Sequence, residues 1–223
     1  MNIKLLFQSL AKFLSGFLLT SALIFLPAGT FSFANAWLFI TVLFVPMLVY
    51  GFVMMLANPV LLKKRLTMKE TEPQQRLVIS LSALMFISGF ALAGLGKRFA
   101  WYILPFGASL AACIVFIGGY ILFARVLCEN EYASRSVEIQ RGQKLISTAS
   151  YSVVRHPMYS ASLIMFLSMP IILGSLYSLL IFFTYPFIIA LRIKNEEALL
   201  EKELPGYVEY KNKVRYRLIP YVW

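Results

Sequence analysis

Two short polar clusters flank an uncharged stretch near the C-terminal end of the chain. The first is RHPMY at residues 155–159, which holds the sole histidine, and the second is RIKNEE at residues 192–197. Glutamate and histidine can accept a proton, and an arginine fork suits a carboxylate or a phosphate. Because Arg192 and Glu196 are four residues apart, they share one face of a helix. The two clusters therefore form a candidate site for binding or group transfer.

The first cluster also predicts where a helix begins. Proline is favoured at the first helical position, so His156 is the expected N-cap and Pro157 the first residue of the helix. Unpaired N–H groups at such a start favour anions. The alternatives are an ordinary interface anchor for residues 155–159 and a surface ion pair for Arg192 and Glu196. The reversed order of that pair, with arginine first, does little to support a helix and favours function.

The elements that position these clusters are predicted to be transmembrane helices, in an all-α polytopic fold. A helix needs about 20 apolar residues to cross a bilayer. Four full spans are expected, at about residues 5–26, 32–57, 77–96 and 101–127. A helical hairpin follows at 157–193, with arms at about 157–173 and 176–193 that are short for a full crossing. The chain thus divides into N-terminal transmembrane helices, 1–127, and a cytoplasm-facing region with a charged tail, 128–223.

Composition supports a membrane protein. Hydrophobic residues make up 60% of the 223 residues and charged residues 14%, against about 25% charged in soluble domains. The net charge of +11 fits the positive-inside bias and attraction to anionic lipid rather than nucleic acid. With both termini in the cytoplasm, all 21 basic residues except Lys97 and Arg98 lie inside, as do all ten glutamates. We therefore expect a multi-pass cell-membrane protein with a cytoplasmic site.

Several other classes of site are excluded or disfavoured. Cys113 and Cys128 are the only cysteines, which excludes a disulfide framework or a zinc site, and no metal is expected. Nucleotide-binding glycine loops and the HExxH motif are absent. The first apolar run continues for more than twenty residues without a processing site, so we expect a span rather than a cleaved signal peptide.

The second half of the chain resembles a known family. Residues 130–159 (NEYASRSVEIQRGQKLISTASYSVVRHPMY) and the stretch RIKNEEALLEKELPGYVEYKNKVRYRLIP are similar to the isoprenylcysteine carboxyl methyltransferase (ICMT) family and its phospholipid methyltransferase relatives. RHPxY, a gap of about 30 apolar residues, RxxxEE and a YxxY tail occur together. Family members often have Gly-Pro where this chain has Ala149-Ser150, and glycine where it has Ala161.

The resemblance implies S-adenosyl-L-methionine as cofactor, in a cytoplasmic pocket closed by the tail. Arg192 would face the substrate and, with Glu196, form the catalytic pair. The residues that would bind the cofactor are Gln140, Gln143, Lys144, Leu145, Ile146, Tyr151, His156, Pro157, Met158, Tyr159, Glu196 and Glu197.

The expected function is methyl transfer to a lipophilic or prenylated acceptor that enters from the bilayer, with isoprenylcysteine-type carboxyl O-methylation as the family's name-giving reaction. Methyl transfer from a sulfonium needs mainly positioning and desolvation, which a site with few polar groups can supply. Phospholipid amine N-methylation and other lipophilic acceptors stay open. The alternative of another class is a non-catalytic membrane protein, such as a transporter or assembly subunit.

Overall fold

The described part of the chain is built from helices. The computed structural model describes residues 3–67, 72–101, 104–133, 139–140 and 142–223, without the side chains of Thr67 and Pro73. Regular structure within these residues is helical throughout. The helices are α1 (Ile3–Ala28), α2 (Ala34–Ala57), α3 (Pro59–Thr67), α4 (Pro73–Arg98), α5 (Phe106–Glu129), a 3₁₀ turn (Ala149–Ser152), α6 (Pro157–Ile172), α7 (Leu176–Phe182), α8 (Tyr185–Glu203) and α9 (Tyr207–Lys213).

Five stretches in the described residues are long and apolar enough to cross a membrane. They are α1, α2, α5, residues Gln74–Arg98 of α4, and Leu176–Glu203, which joins α7 to α8. The four predicted spans are confirmed as helices, and α6 is the short arm of the hairpin, with 16 residues. The apolar side chains that α1 exposes, such as Phe7 and Leu18, are typical of a surface that faces lipid.

Small residues let neighbouring helices approach each other closely. A Cβ built on Gly94 of α4 would lie 2.3 Å from the carbonyl oxygen of Ile24 in α1. On α5, a Cβ at Gly119 would meet Met165 of α6 at 2.9 Å. Small-residue contacts of this kind are a common way to pack helices in lipid, where little hydrophobic driving force acts between them.

One polar anchor lies within the apolar core. The Asn35 amide of α2 donates to Ser109 Oγ (2.8 Å) and to the Ile172 carbonyl oxygen (3.0 Å). Ser109 in turn donates to the carbonyl oxygen of Ile171 (3.1 Å). These bonds fix α2 and α5 to the far end of α6, so the opposite end of α6, where the site lies, has a defined position.

The second hairpin arm is longer than predicted. It breaks after α7, at residues 183–184, and α8 then continues to Glu203 rather than ending near residue 193. A search for apolar residues stops at Lys194, but the sequence that follows is rich in alanine, leucine, glutamate and lysine, all strong helix formers. The whole second cluster, residues 192–197, therefore lies within α8.

Two other boundaries differ from the sequence prediction. The fourth span begins at Phe106, five residues later than expected, because Pro105 is its N-cap. Between the second and third predicted spans, where the sequence predicted no span, lies the short helix α3, whereas Lys69 in the same interval lies outside the described residues.

Candidate active site

A cavity lies where α6 begins and α8 ends. The C-terminal tail, residues 204–223, covers the start of α6. The Arg155 and His156 N–H groups donate to the carbonyl oxygens of Tyr216 and Arg217 in this tail, both at 2.9 Å. His156 is the N-cap and Pro157 the first residue of α6, as predicted. The tail thus accepts a hydrogen bond from the His156 N–H group at the helix start, where the sequence analysis expected unpaired N–H groups to favour an anion.

The residues that line this cavity come from α6, α8, α9 and the segments between α5 and α6. They are Asn130, Tyr132, Ala133, Ile139, Gln143, Lys144, Leu145, Ile146, Tyr151, Arg155, His156, Met158, Tyr159, Arg192, Glu196, Leu199, Leu200, Leu204, Tyr207 and Tyr210.

Three of these side chains form a chain of hydrogen bonds, here called the open cluster: Arg192, Tyr159 and Glu196. Arg192 Nε donates to Tyr159 Oη (2.8 Å), and Tyr159 Oη donates to Glu196 Oε2 (2.5 Å). The guanidinium carbon lies 5.7 Å from the centre of the Tyr159 ring. Arg192 and Glu196 thus share one face of α8, as predicted, and the tyrosine hydroxyl joins them.

The neighbouring glutamate belongs to a different group, here called the closed cluster: Glu197, Arg155, Arg217 and His156. Glu197 Oε1 accepts from Arg155 Nε (2.7 Å) and lies 3.2 Å from His156 Nε2, and Oε2 accepts from Arg217 Nε (2.8 Å). The Glu197 side chain is 4% exposed and does not line the cavity. A buried carboxylate needs several such partners to offset its desolvation.

His156 of the closed cluster also contacts the open cluster. Its ring stacks on Tyr159 with centroids 5.6 Å apart, and its Nδ1 is 4.0 Å from Glu196 Oε1. A substitution at His156 therefore affects both the closed cluster and the cavity.

A loop forms the second wall of the cavity. Gln140 and Gln143 close a tight turn, in which the Gln143 N–H donates to the Gln140 carbonyl oxygen and Gln143 Oε1 accepts from the Gln140 N–H, both at 2.9 Å. Among the described residues, no hydrogen-bond partner is found for the backbone groups of Leu145 and Ile146. The loop therefore presents backbone donors and acceptors at the cavity edge.

Three tyrosines complete the cavity on the side of the tail. Tyr210 Oη donates to the Tyr151 carbonyl oxygen (2.7 Å), and Tyr151 Oη accepts from the Asn130 amide (2.8 Å). Tyr207 Oη is buried without a hydrogen-bond partner among the described residues. Burial raises the pKa of Tyr151 to about 12 and raises the pKa of Tyr207 and Tyr210. All three phenols are therefore neutral at physiological pH and able to donate.

Ten of the thirteen residues singled out from the sequence line the cavity. The three others are Gln140, which supports the loop, Pro157, which begins α6, and Glu197 of the closed cluster. Sequence reasoning gave no role to Tyr207, although the YxxY spacing was visible. It also missed Leu200 and Leu204, which follow Glu196 at helical spacing and could have been found from that periodicity.

The comparisons with known proteins point to membrane methyltransferases. The sequence model of the phospholipid methyltransferase family matches residues 107–205. A solved structure of the eukaryotic intramembrane Ras methyltransferase ICMT (isoprenylcysteine carboxyl methyltransferase) is similar, with a TM-score of 0.53 and 15% identity. The match covers 100% of this chain and 87% of that chain. No curated protein matches the sequence.

At 15% identity the structural likeness concerns the fold. Together with the family match, it supports the resemblance inferred from the sequence, that of an ICMT-like integral membrane methyltransferase.

Proposed function

We propose that the protein transfers a methyl group from S-adenosyl-L-methionine to a lipophilic acceptor, by isoprenylcysteine-type carboxyl O-methylation. The observation that carries this proposal is the open cluster, which puts Arg192 and Glu196 on one hydroxyl inside the cavity. The phospholipid methyltransferase match over residues 107–205 supports the reaction class.

The cavity suits the polar parts of this cofactor. Within the part of the chain that the structure describes, the Tyr207 hydroxyl and the backbone groups of Leu145 and Ile146 have no hydrogen-bond partner, and a ligand would satisfy these donors and acceptors. Glu196 supplies an anionic group for the cationic or hydroxyl-bearing parts of the cofactor, and Met158 and Leu200 supply apolar contacts. Of the residues assigned from the sequence, the ten that line the cavity are the ones proposed to bind.

The cavity has to widen to admit a ligand of this size. Its volume is about 110 Å³, whereas ligand pockets commonly measure about 300–1,000 Å³. The loop around Leu145 and the tail at Tyr207 are two separate segments that meet across the cavity. We propose that they part when the cofactor enters and close over it afterwards.

The residues of the open cluster bind the acceptor and hold it in position for the reaction. The bound cofactor supplies an electrophilic methyl group, which the acceptor oxygen takes as the carbon–sulfur bond breaks and its electron pair stays on sulfur. Arg192 binds the acceptor carboxylate by charge-assisted hydrogen bonds. Tyr159, tied to Arg192 and Glu196, keeps the guanidinium in place. A carboxylate is already ionised at neutral pH, so this acceptor needs no general base.

A second candidate is N-methylation of a phospholipid amine, which the family match favours. An ammonium must lose a proton before it can attack, and Glu196, whose side chain is 24% exposed, is the carboxylate in position to accept it. Arg192 would then orient Glu196 through Tyr159 rather than bind the acceptor.

One experiment tests the proposal and separates the two acceptors. Membranes that contain the protein are incubated with methyl-labelled S-adenosylmethionine, and the lipids are extracted and treated with base. Volatile labelled methanol is expected, because a methyl ester is base-labile. Label retained in phospholipid would establish the amine instead. No label above that of membranes carrying Glu196→Gln would reject both.

We also propose that both termini and the cavity lie in the cytoplasm, at the cell membrane. Support comes from the charge distribution, since all basic residues except Lys97 and Arg98 fall on one side. A reporter fused after Trp223 is expected to be active only in its cytoplasmic form, and an external signal would reverse this orientation.

A further inference from the structure

A second cavity lies away from the candidate active site, between α1, α2, α3 and α5. Its volume is about 480 Å³, and it shares no lining residue with the first cavity. We call it the lipid chamber. The described residues that line it are Leu6, Ser9, Leu10, Lys12, Phe13, Leu43, Met47, Leu48, Tyr50, Gly51, Phe52, Met54, Met55, Leu62, Arg65, Leu66, Tyr120, Phe123, Leu127 and Met165.

The chamber is lined mostly by apolar side chains and carries two basic groups. Most of its lining is leucine, methionine and phenylalanine, and its charged groups are Lys12 and Arg65. These two lie together, since Lys12 Nζ donates to the carbonyl oxygen of Leu66, the residue after Arg65. None of the described lining residues is acidic. An apolar chain attached to an anionic head group complements such a surface.

A buried polar atom inside the chamber has no partner among the described residues. Tyr50 Oη is buried and makes no hydrogen bond to any residue that the structure describes. The Tyr50 ring packs edge-on against Tyr120, another lining residue, with ring centroids 6.4 Å apart. A buried hydroxyl normally has a hydrogen-bond partner. The ester carbonyl of a glycerophospholipid would supply one here.

Helix α3 connects the chamber to the cofactor cavity. Arg65 Nη1 donates to the carbonyl oxygen of Ala133 (3.1 Å), which lines the first cavity. Lys64 Nζ donates to Gln140 Oε1 (2.9 Å) in the turn that holds Gln143. An anion in the chamber beside Arg65 would thus hold α3 where both contacts form, and the loop of the first cavity with it.

We propose that the lipid chamber binds one anionic glycerophospholipid of the surrounding membrane, which is not the methyl acceptor, and that this lipid strengthens ligand binding in the first cavity. The acceptor is assigned elsewhere because none of the described lining residues belongs to α8, the helix of Arg192 and Glu196. Lipid binding stands by itself, whereas the effect on the cofactor rests on the proposed function.

Lipid retention is the direct test. The protein is exchanged into nanodiscs of phosphatidylglycerol or phosphatidylcholine, released gently, and weighed by native mass spectrometry. One phosphatidylglycerol per protein is expected, with retention about fivefold above that of phosphatidylcholine. Lys12→Gln is expected to remove this preference, while Lys97→Gln, in the last turn of α4, keeps it. Equal retention of the two lipids by the unaltered protein would overturn the proposal.

A second variant fills the chamber. Gly51 lines it, and a Cβ built there has no atom within 4 Å, so Gly51→Leu is expected to fold and to lose the bound lipid. Gly118→Leu is the matched control, because Gly118 is also open but lies outside the chamber. Retained lipid in Gly51→Leu, or methylation of the bound lipid when S-adenosylmethionine is added, would refute the assignment.

The effect of the chamber lipid on ligand binding in the first cavity is measured separately. Affinity for S-adenosylhomocysteine is expected to be about threefold higher in phosphatidylglycerol than in phosphatidylcholine nanodiscs, since two contacts steady the loop. Gly51→Leu should remove that difference and Gly118→Leu should keep it. Equal affinity in both lipids would refute the coupling and leave lipid binding intact. Absence of S-adenosylhomocysteine binding in either lipid would instead reject the proposed function.

Discussion

Glu196 and Glu197 are neighbours on α8 but lie in two different environments. The closed cluster buries Glu197 among two arginines and a histidine, and it ties the tail to the start of α6. The open cluster leaves Glu196 partly exposed, at the end of a chain that runs from Arg192 through one tyrosine hydroxyl. Consecutive helical residues point about 100° apart, so one faces the tail and the other the cavity.

Two adjacent residues of one sequence motif, Glu196 and Glu197, therefore take different roles, one in binding and one in holding the fold. Glu197 of the closed cluster is buried and paired with three side chains, so we assign this cluster to holding the site together. The open cluster has room for a ligand, so we assign it to binding and turnover. Substitutions in the two clusters should therefore give opposite profiles, with loss of stability in the first and loss of activity in the second.

The largest expected effect is on stability, from Glu197→Gln. Removing the charge leaves Arg155 buried without its carboxylate, at a cost of about 3–5 kcal/mol. Thermal unfolding of the detergent-purified protein should show a markedly lower midpoint. The matched control is Glu201→Gln, in the exposed pair with Lys211, which should cost less than about 1 kcal/mol. Equal midpoints for the two variants would mean that the closed cluster does not support the fold.

The next effect is on turnover, from Arg192→Ala. We expect kcat/KM to fall about 100-fold while affinity for S-adenosylhomocysteine falls about threefold, because the lost charge-assisted bond serves the acceptor. Arg192→Lys should recover part of the activity, since lysine keeps the charge without the planar fork.

Lys194→Ala, an exposed position on the same helix, is the control for Arg192 and should leave both quantities unchanged. Equal losses of kcat/KM and affinity in Arg192→Ala would show that Arg192 only supports the cofactor. The acceptor would then have to be placed elsewhere.

The smallest expected effect comes from the 3₁₀ turn beneath the cavity. Ala149 has φ +51°, a left-handed conformation that costs a residue with a Cβ about 1 kcal/mol. Ala149→Gly should raise the unfolding midpoint by about 2–4 °C. Ala198→Gly, in the interior of α8, should lower it by a similar amount. A lower midpoint for Ala149→Gly would show that the strain is relieved in another way.

The same turn shows where this chain departs from the family that it resembles. Members often carry Gly-Pro where this chain has Ala149-Ser150. The Ser150 N–H and hydroxyl donate to the two oxygens of Glu129, at 3.0 and 3.1 Å. Proline would lose both bonds. The turn is therefore held here by a side-chain anchor from α5 rather than by the rigidity of proline.

The helical architecture could be predicted because each span is a local property of the sequence. Apolar length located α1, α2, α4 and α5, and Pro157 marked the first residue of α6 correctly. The end of α8 was predicted too early because the apolar stretch ends near residue 193. The helix itself continues to Glu203 through residues of high helix propensity.

The different roles of the two glutamates could not be predicted. The second arginine that binds Glu197 is Arg217, twenty residues away in the tail, and spacing does not show where the tail lies. Tyr159 was assigned to the cofactor, but its bridge between Arg192 and Glu196 depends on how far apart α6 and α8 pack. Tertiary packing decides both, and only local periodicity can be read from a sequence.

The most direct test of the central claim is a titration of the detergent-purified protein with S-adenosylhomocysteine, followed by calorimetry. The unaltered protein should bind one equivalent. Glu196→Gln should weaken binding at least about tenfold, through loss of a charge-assisted bond, while its unfolding midpoint without ligand stays within about 2 °C of the unaltered protein, because Glu196 is outside the closed cluster. Unchanged affinity in Glu196→Gln, or no binding to the unaltered protein, would contradict the assignment of this cavity as a methyltransferase site.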